Sequence, residues 1–153
     1  KILGSEEIKN ILFVMTNKEC TLIRLIEELE LRGELILSYK EIDFEFNKNC
    51  AKNDITINPE ILQSILFIFE EILNNISKHS LASKVVIDLQ YKQSRLLISI
   101  ADNGSGFDFS LNKSKSHSYG LQIIEEISKN NHIGVSFSSK SGKGTKVKIN
   151  AKI

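Results

Sequence analysis

Residues 58–80, NPEILQSILFIFEEILNNISKHS, constrain the fold of this chain more than any other stretch. Asn58 offers an N-cap oxygen, and Pro59 suits the first helical position, where a missing N–H costs nothing. At about 100° per residue, Ile61, Leu62, Ile65, Leu66, Phe69, Ile72, Leu73 and Ile76 gather on one broad apolar face. The spacing predicts one long helix that must lie against a second hydrophobic layer. Glu71, Asn75 and Lys78 fall within about 60° of one another opposite that face, so a carboxylate, an amide oxygen and an ammonium share one ridge. Taken alone, such a string is most simply a solvated face.

Upstream, Ile8, Ile11, Leu12 and Met15, then Leu22, Leu25, Ile26 and Leu29, recur at three- and four-residue spacing. Two short helices or one interrupted helix follow, with Gly33 expected to end the second piece. Packing or dimer contact accounts for them, and no chemistry is visible there. Ile42, Phe44 and Phe46 alternate with Glu41, Asp43 and Glu45 as in a half-buried strand within residues 34–46, and residues 47–57 read as polar linker.

Downstream, Val85, Ile87, Leu89 and Tyr91 share one face of a strand, and Leu96, Ile98 and Ile100 share one face of the next. The two make a β-hairpin. Residues 108–118, rich in Ser, Lys and Asn, predict a mobile loop. Leu121, Ile124 and Ile127 return to helical spacing over residues 119–130. Residues 133–137 and 145–153 then alternate as two strands around a glycine turn. A hairpin on each side of the loop implies a mixed sheet covered on one face by helices.

Composition narrows the function classes. With 153 residues, 41% hydrophobic and 25% charged, the chain is an ordinary globular domain, neither disordered nor fibrous. A net charge of +1 without a basic aromatic patch argues against nucleic acid. No apolar run reaches the roughly 18 residues of a membrane span, so direct membrane contact by this segment is not expected. Cys20 and Cys50 lack metal spacing and read as reduced thiols of a cytoplasmic protein, with a chance disulfide as the alternative. The start at Lys1 reads as a cut from something longer.

Three glycine signals accompany the helical ridge. Asp102 ends a buried strand in Asp102-Asn103-Gly104-Ser105-Gly106, where glycines let the backbone turn close to a flat ligand and the carboxylate can accept from an amino group. Gly120-Leu121 opens a helix after the loop, placing unpaired N–H groups and a positive dipole end where phosphates could sit. Gly142-Lys143-Gly144-Thr145 makes the last turn. Each signal alone is weak.

In this order, they resemble the ATP-binding catalytic domain of sensor histidine kinases, within the wider family that includes DNA gyrase B, the Hsp90 chaperones and MutL. Glu71-x-x-x-Asn75-x-x-Lys78-His79 resembles the N box, residues 102–107 the G1 box, residues 119–124 the G2 box and residues 142–145 the final glycine motif. The resemblance covers about residues 39–153, and the Lys-His pair and the DNGSGF string look most like the NarX and DesK subgroup.

The resemblance implies a two-layer α/β (α+β) sandwich, with a mixed, mainly antiparallel sheet of about five strands covered on one face by about three helices, and a mobile ATP lid. It implies an ATP-binding catalytic domain over residues 38–153, with residues 1–37 a helical linker or remnant of the preceding helical region. Asp102 would bind the adenine amino group with help from Thr145, while Gly104 and Gly106 shape the pocket. Asn75 would ligate Mg²⁺ and Lys78 would offset phosphate charge. The Gly120 and Leu121 amides would meet the outer phosphates, and Glu71 would act as general base or orient a water. His79 would contact phosphate or merely cap the helix. His117 stands where relatives often carry another glycine.

A phosphoacceptor histidine belongs on a separate helical hairpin, yet the three histidines here are His79, His117 and His132, none upstream of the ATP site. The expected partners are therefore the histidine-bearing dimerisation region of a homodimeric parent kinase and a response regulator. The weighed alternatives are an anti-sigma-factor serine kinase, which the N-box Lys-His pair argues against, and a nucleotide-gated interaction module without catalysis.

Overall fold

In the computed structural model, the described residues are 4, 20–50, 55–106 and 118–153. The expected helix over residues 8–15, the polar stretch 51–54, Phe107, the lid and His117 lie outside them. Within them the chain runs α1 (Leu22–Ser38), β1 (Asp43–Asn49), α2 (Pro59–His79), β2 (Lys84–Lys92), β3 (Arg95–Asp102), α3 (Ser118–Asn131), β4 (Ile133–Ser139) and β5 (Thr145–Lys152).

The five strands form one sheet in the order β1-β2-β3-β5-β4. β1 runs parallel to β2, and every other neighbouring pair is antiparallel. Strict alternation sends Val85, Ile87, Leu89, Leu96, Ile98, Ile100, Val147, Ile149 and Ala151 into the core, with Lys146, Lys148 and Lys152 exposed on the other face of β5. The three helices therefore cover one face, as the mixed-sheet reading predicts. No helix among the described residues is long and apolar enough to cross a membrane.

α2 is the central helix. Asn58 caps it, its side chain accepting from the Glu60 N–H at 2.8 Å, and Pro59 stands at its start. The predicted apolar face is buried, with Ile61 only partly so, and Ile68 and Glu70 are buried as well. Glu70 is buried because α1 lies beside α2, also against β1, and brings Arg32 to it.

That contact corrects one expectation. α1 does not stop at Gly33 but continues to Ser38, so the following strand begins at Asp43 and ends at Asn49. Gly33 is a packing residue. A Cβ there would stand 3.1 Å from the Phe44 ring and 3.6 Å from the Phe69 ring. The missing side chain lets strand and helix close on one another. The linker is also less loose than its composition suggests, since Ile57 donates to the Cys20 carbonyl at 2.6 Å and Leu22 donates to that of Ile55 at 2.9 Å. Cys20 is buried and Cys50 half-buried, and neither is in a disulfide.

A charged cluster joins α1 to α2. The Arg32 guanidinium donates to Glu28 at 2.7 Å and to Glu70 at 2.5 Å, with side-chain exposures of 7% for Arg32 and 10% for Glu70. A guanidinium so deep is tolerated only because carboxylates meet it, and the pair fixes how the two helices sit along each other. Replacing Arg32 by Met is expected to cost about 3–5 kcal/mol in urea unfolding, and the double change Arg32→Met with Glu70→Leu to recover most of it. Equal losses in single and double variants would show that the pair contributes shape rather than charge.

Candidate nucleotide site

The site is built where α2, β3 and β5 converge. Ser80 follows the last turn of α2, its N–H bonded to the Ile76 carbonyl, and its own carbonyl accepts from the Ser105 N–H at 2.6 Å and from the Ser105 hydroxyl at 3.1 Å. Gly104 lies so close that an added Cβ would overlap the Ser80 carbonyl oxygen. Gly106 adopts φ +66°, against the Lys140 carbonyl, where a side chain would be both strained and blocked. Gly142 donates to the Ser105 carbonyl. The loop after β3 is thus clamped between the end of α2 and the β4–β5 turn.

Asn103 completes the clamp. Its side-chain oxygen accepts from the N–H groups of Ser83 and Lys84, both at 2.9 Å, and its amide donates to the Ser83 hydroxyl at 2.8 Å. Its role is to pin the loop to the start of β2.

These ties enclose a cavity of about 220 Å³. Ile72, Ile76, Leu121, Phe137 and Val147 supply apolar walls, while Asn75, His79, Ser80, Asp102, Gly106 and Thr145 complete the lining. Asp102 is 7% exposed. Its Oδ1 accepts from the Gly104 N–H at 2.8 Å, and its Oδ2 is buried with no hydrogen-bond partner among the described residues. Burial raises the carboxyl above its usual 3.8, against the opposing pull of the Gly104 and Thr145 N–H groups. A buried carboxylate among the residues lining a small, mostly apolar cavity fits a flat ring carrying an amino group.

The remaining sequence-derived residues divide into two sets. Gly120 sits in the first turn of α3, and a Cβ on it would stand 3.2 Å from Glu71 Oε2 and 3.9 Å from Asn75 Nδ2. Glu71, Asn75 and the opening turn of α3 are therefore one cluster at the rim, where the first N–H groups of α3 lack intrahelical acceptors. Lys78 is exposed in the last turn of α2 and is not part of the cavity wall. Sequence periodicity assigned Ile72 and Ile76 to a packing face and did not single out Phe137 or Val147. All four line the cavity, and alternation alone does not separate a wall from a core.

The sequence profile of the histidine kinase-, DNA gyrase B-, and HSP90-like ATPase family matches residues 61–153, and the chain belongs to that family. Among relatives, it is 34% identical over 102 residues to the sensor histidine kinase LiaS of Bacillus subtilis (strain 168), covering 65% of this chain and 27% of that protein. It is 27% identical over 155 residues to the sensor histidine kinase ComP of the same organism, covering 97% of this chain and 20% of that one. The chain thus spans about a quarter or less of the length of these relatives. The histidine kinase domain of the blue-light activated histidine kinase from Erythrobacter litoralis EL346 superposes with a TM-score of 0.64 at 18% identity, over 84% of this chain and 60% of that one. That likeness shows the shared fold.

The raised Asp102 carboxyl has a definite sign. The folded chain holds this proton more tightly than the unfolded chain, so the stability linked to it is full below 3.8 and is lost as pH rises through the raised folded value. At pH 7 the ionised group is a cost to the empty fold. Asp102→Asn is therefore expected to melt at or above the parent temperature at pH 7, with the gap closing toward pH 4, while losing any rise in Tm on adding ATP. A lower melting temperature at pH 7 would contradict this view of Asp102.

Proposed function

We propose that this chain is the ATP-binding catalytic domain of a two-component sensor histidine kinase. It would transfer the γ-phosphate of ATP to a histidine on a separate helical region of its parent protein, for relay to a response regulator. The observation that carries this reading is the solitary Asp102 oxygen in its apolar cavity. An adenine ring satisfies it with an exocyclic N–H, and Ile72, Ile76, Phe137 and Val147 hold the ring by apolar contact. Family membership and the sensor kinase relatives support the same conclusion.

The cavity is of the order of a base, not of a whole nucleotide, so the phosphates belong at the rim. There the Gly120 and Leu121 N–H groups and the dipole of α3 favour negative charge. Gly120 has no Cβ to crowd Glu71, which keeps the gap between α2 and α3 open. His79 lines the cavity at the end of α2, and Lys78 is the adjoining cation that would offset phosphate charge.

Mg²⁺ would be held through the Asn75 side-chain oxygen. The described residues contain no cluster of three or more His, Cys, Asp or Glu side chains that could hold a metal by themselves. Such a donor set suits an ion carried mainly by phosphate oxygens. When bound, the ion neutralises charge on the phosphates. Glu71, which lies beside Gly120, would take the proton of the attacking imidazole or orient a water. On this reading the domain works in the cytoplasm within a homodimeric parent, and residues 1–37 link it to the preceding helical region.

The test is phosphotransfer from ATP labelled at the γ position to a histidine-bearing helical hairpin supplied separately. An acid-labile, alkali-stable label on the hairpin is expected, falling about a hundredfold with Asn75→Ala. An acid-stable label on serine would favour a serine kinase, and binding of ATP with no transfer to any acceptor would overturn the catalytic reading.

A further inference from the structure

The sheet face that no helix covers separates its charges. Alternation along β5 brings Lys146, Lys148 and Lys152 to that face in one row, with Asn150 between the last two. Their cross-strand neighbours beside Lys146 and Lys148 are small, Ala101 and Ser99 on β3 and Ser138 and Ser136 on β4. The lysines therefore rise as a ridge between two low rows. A groove of about 750 Å³ lies over this face, and a second cavity of about 250 Å³ continues it toward the β4–β5 turn, with Lys146 in the wall of both.

Among the described residues, no carboxylate pairs with Lys146, Lys148 or Lys152. The acids of the same face stand two or three strands away and are engaged. Asp88 accepts from the Asn47 amide at 2.9 Å, and Glu45 pairs with Lys84 at 3.3 Å. The whole chain has a net charge of only +1, so the row is a separation of charge and not a general excess. Three like charges in a row repel one another, and carboxylates set at matching spacing would both pair with them and relieve that repulsion.

We infer that this open face is a docking surface for an acidic helix of a partner protein, whose carboxylates, gathered on one side, pair with the Lys146, Lys148 and Lys152 row. Two residues of strand advance about 6.8 Å, and four residues of helix about 6 Å, so carboxylates one turn apart meet Lys146 and Lys148 in step. A helix satisfies its own backbone and can lie flat on strands, whereas an extended chain binds a sheet at its edge. A bilayer of anionic lipid fits less well, because Asp88 and Glu45 share the face. The inference does not depend on what the apolar cavity holds.

The test is calorimetric titration of the whole chain with an alanine-rich helical peptide of about fourteen residues, long enough to span the row. Its glutamates stand at i, i+4, i+7 and i+11, on one side of the helix. The peptide is expected to bind, more weakly as salt is raised, and about tenfold more tightly than one of the same composition with glutamates spread round the helix. Lys146→Gln with Lys148→Gln is expected to lose about tenfold in affinity at an unchanged melting temperature. Lys129→Gln, on α3, is expected to change nothing, and saturating ATP to leave the peptide bound.

Equal affinity for the two peptides, no binding at low salt, or binding that survives the double substitution would overturn the inference. Vesicles of phosphatidylglycerol that bind through the same lysines, with no binding of the peptide, would assign the face to a membrane instead. Displacement of the peptide by ATP would place it in the nucleotide cavity and likewise overturn the docking surface. Failure of the chain to bind ATP would overturn only the nucleotide reading.

Discussion

The Ser80 carbonyl is the contact on which the site depends. It lies just past the end of α2, accepts two hydrogen bonds from Ser105, and is approached by Gly104 closely enough to leave no room for a side chain. That meeting fixes the end of β3 against the end of the longest helix. Asp102 is thereby aimed into the space between helix and sheet, and the β4–β5 turn is drawn in through Gly142 and Gly106. A looser contact would leave the same residues nearby but would not hold an orphaned carboxylate oxygen in an apolar cavity.

Stability and function oppose each other at this point. An ionised carboxylate with one unsatisfied oxygen is unfavourable in an empty fold, and a ligand N–H would make good the deficit. The rest of the domain carries that cost. The mostly aliphatic core shared by α2 and the sheet does so on one side, and the Arg32 cluster holds α1 in place on the other. Such a division, with strain at the site and surplus packing elsewhere, is what a binding domain requires.

Most of the architecture was legible because it rests on period. The α2 span, its Asn58 cap, the two hairpins and the mixed sheet all follow from where apolar residues recur. The candidate site was traceable through the joint order of Glu71, Asn75, Asp102, Gly104, Gly106, Gly120 and Thr145, although no one of them is distinctive, and of these Asn75, Asp102, Gly106 and Thr145 line one cavity. What escaped had a different cause. Gly33 reads as a helix stop because nothing local reveals that the Phe44 ring will fill its missing side chain. Nothing local marks Arg32 as buried, because its second carboxylate, Glu70, comes from another helix. Ser139 reads as one serine in a polar turn, and only the register of β4 on β5 brings its hydroxyl to Thr145.

The central claim is that nucleotide binds between α2, α3 and the β3–β5 ends, with its base on Asp102. Mapping amide chemical shifts while adding a non-hydrolysable ATP analogue with Mg²⁺ tests it most directly. The account predicts that shifts concentrate at Gly104, Gly106, Leu121 and Thr145. The exposed face carrying Lys146, Lys148 and Asn150 should stay quiet beyond the first residues of β5. Shifts centred on that open face, or a folded protein with no shifts at saturating nucleotide, would contradict it.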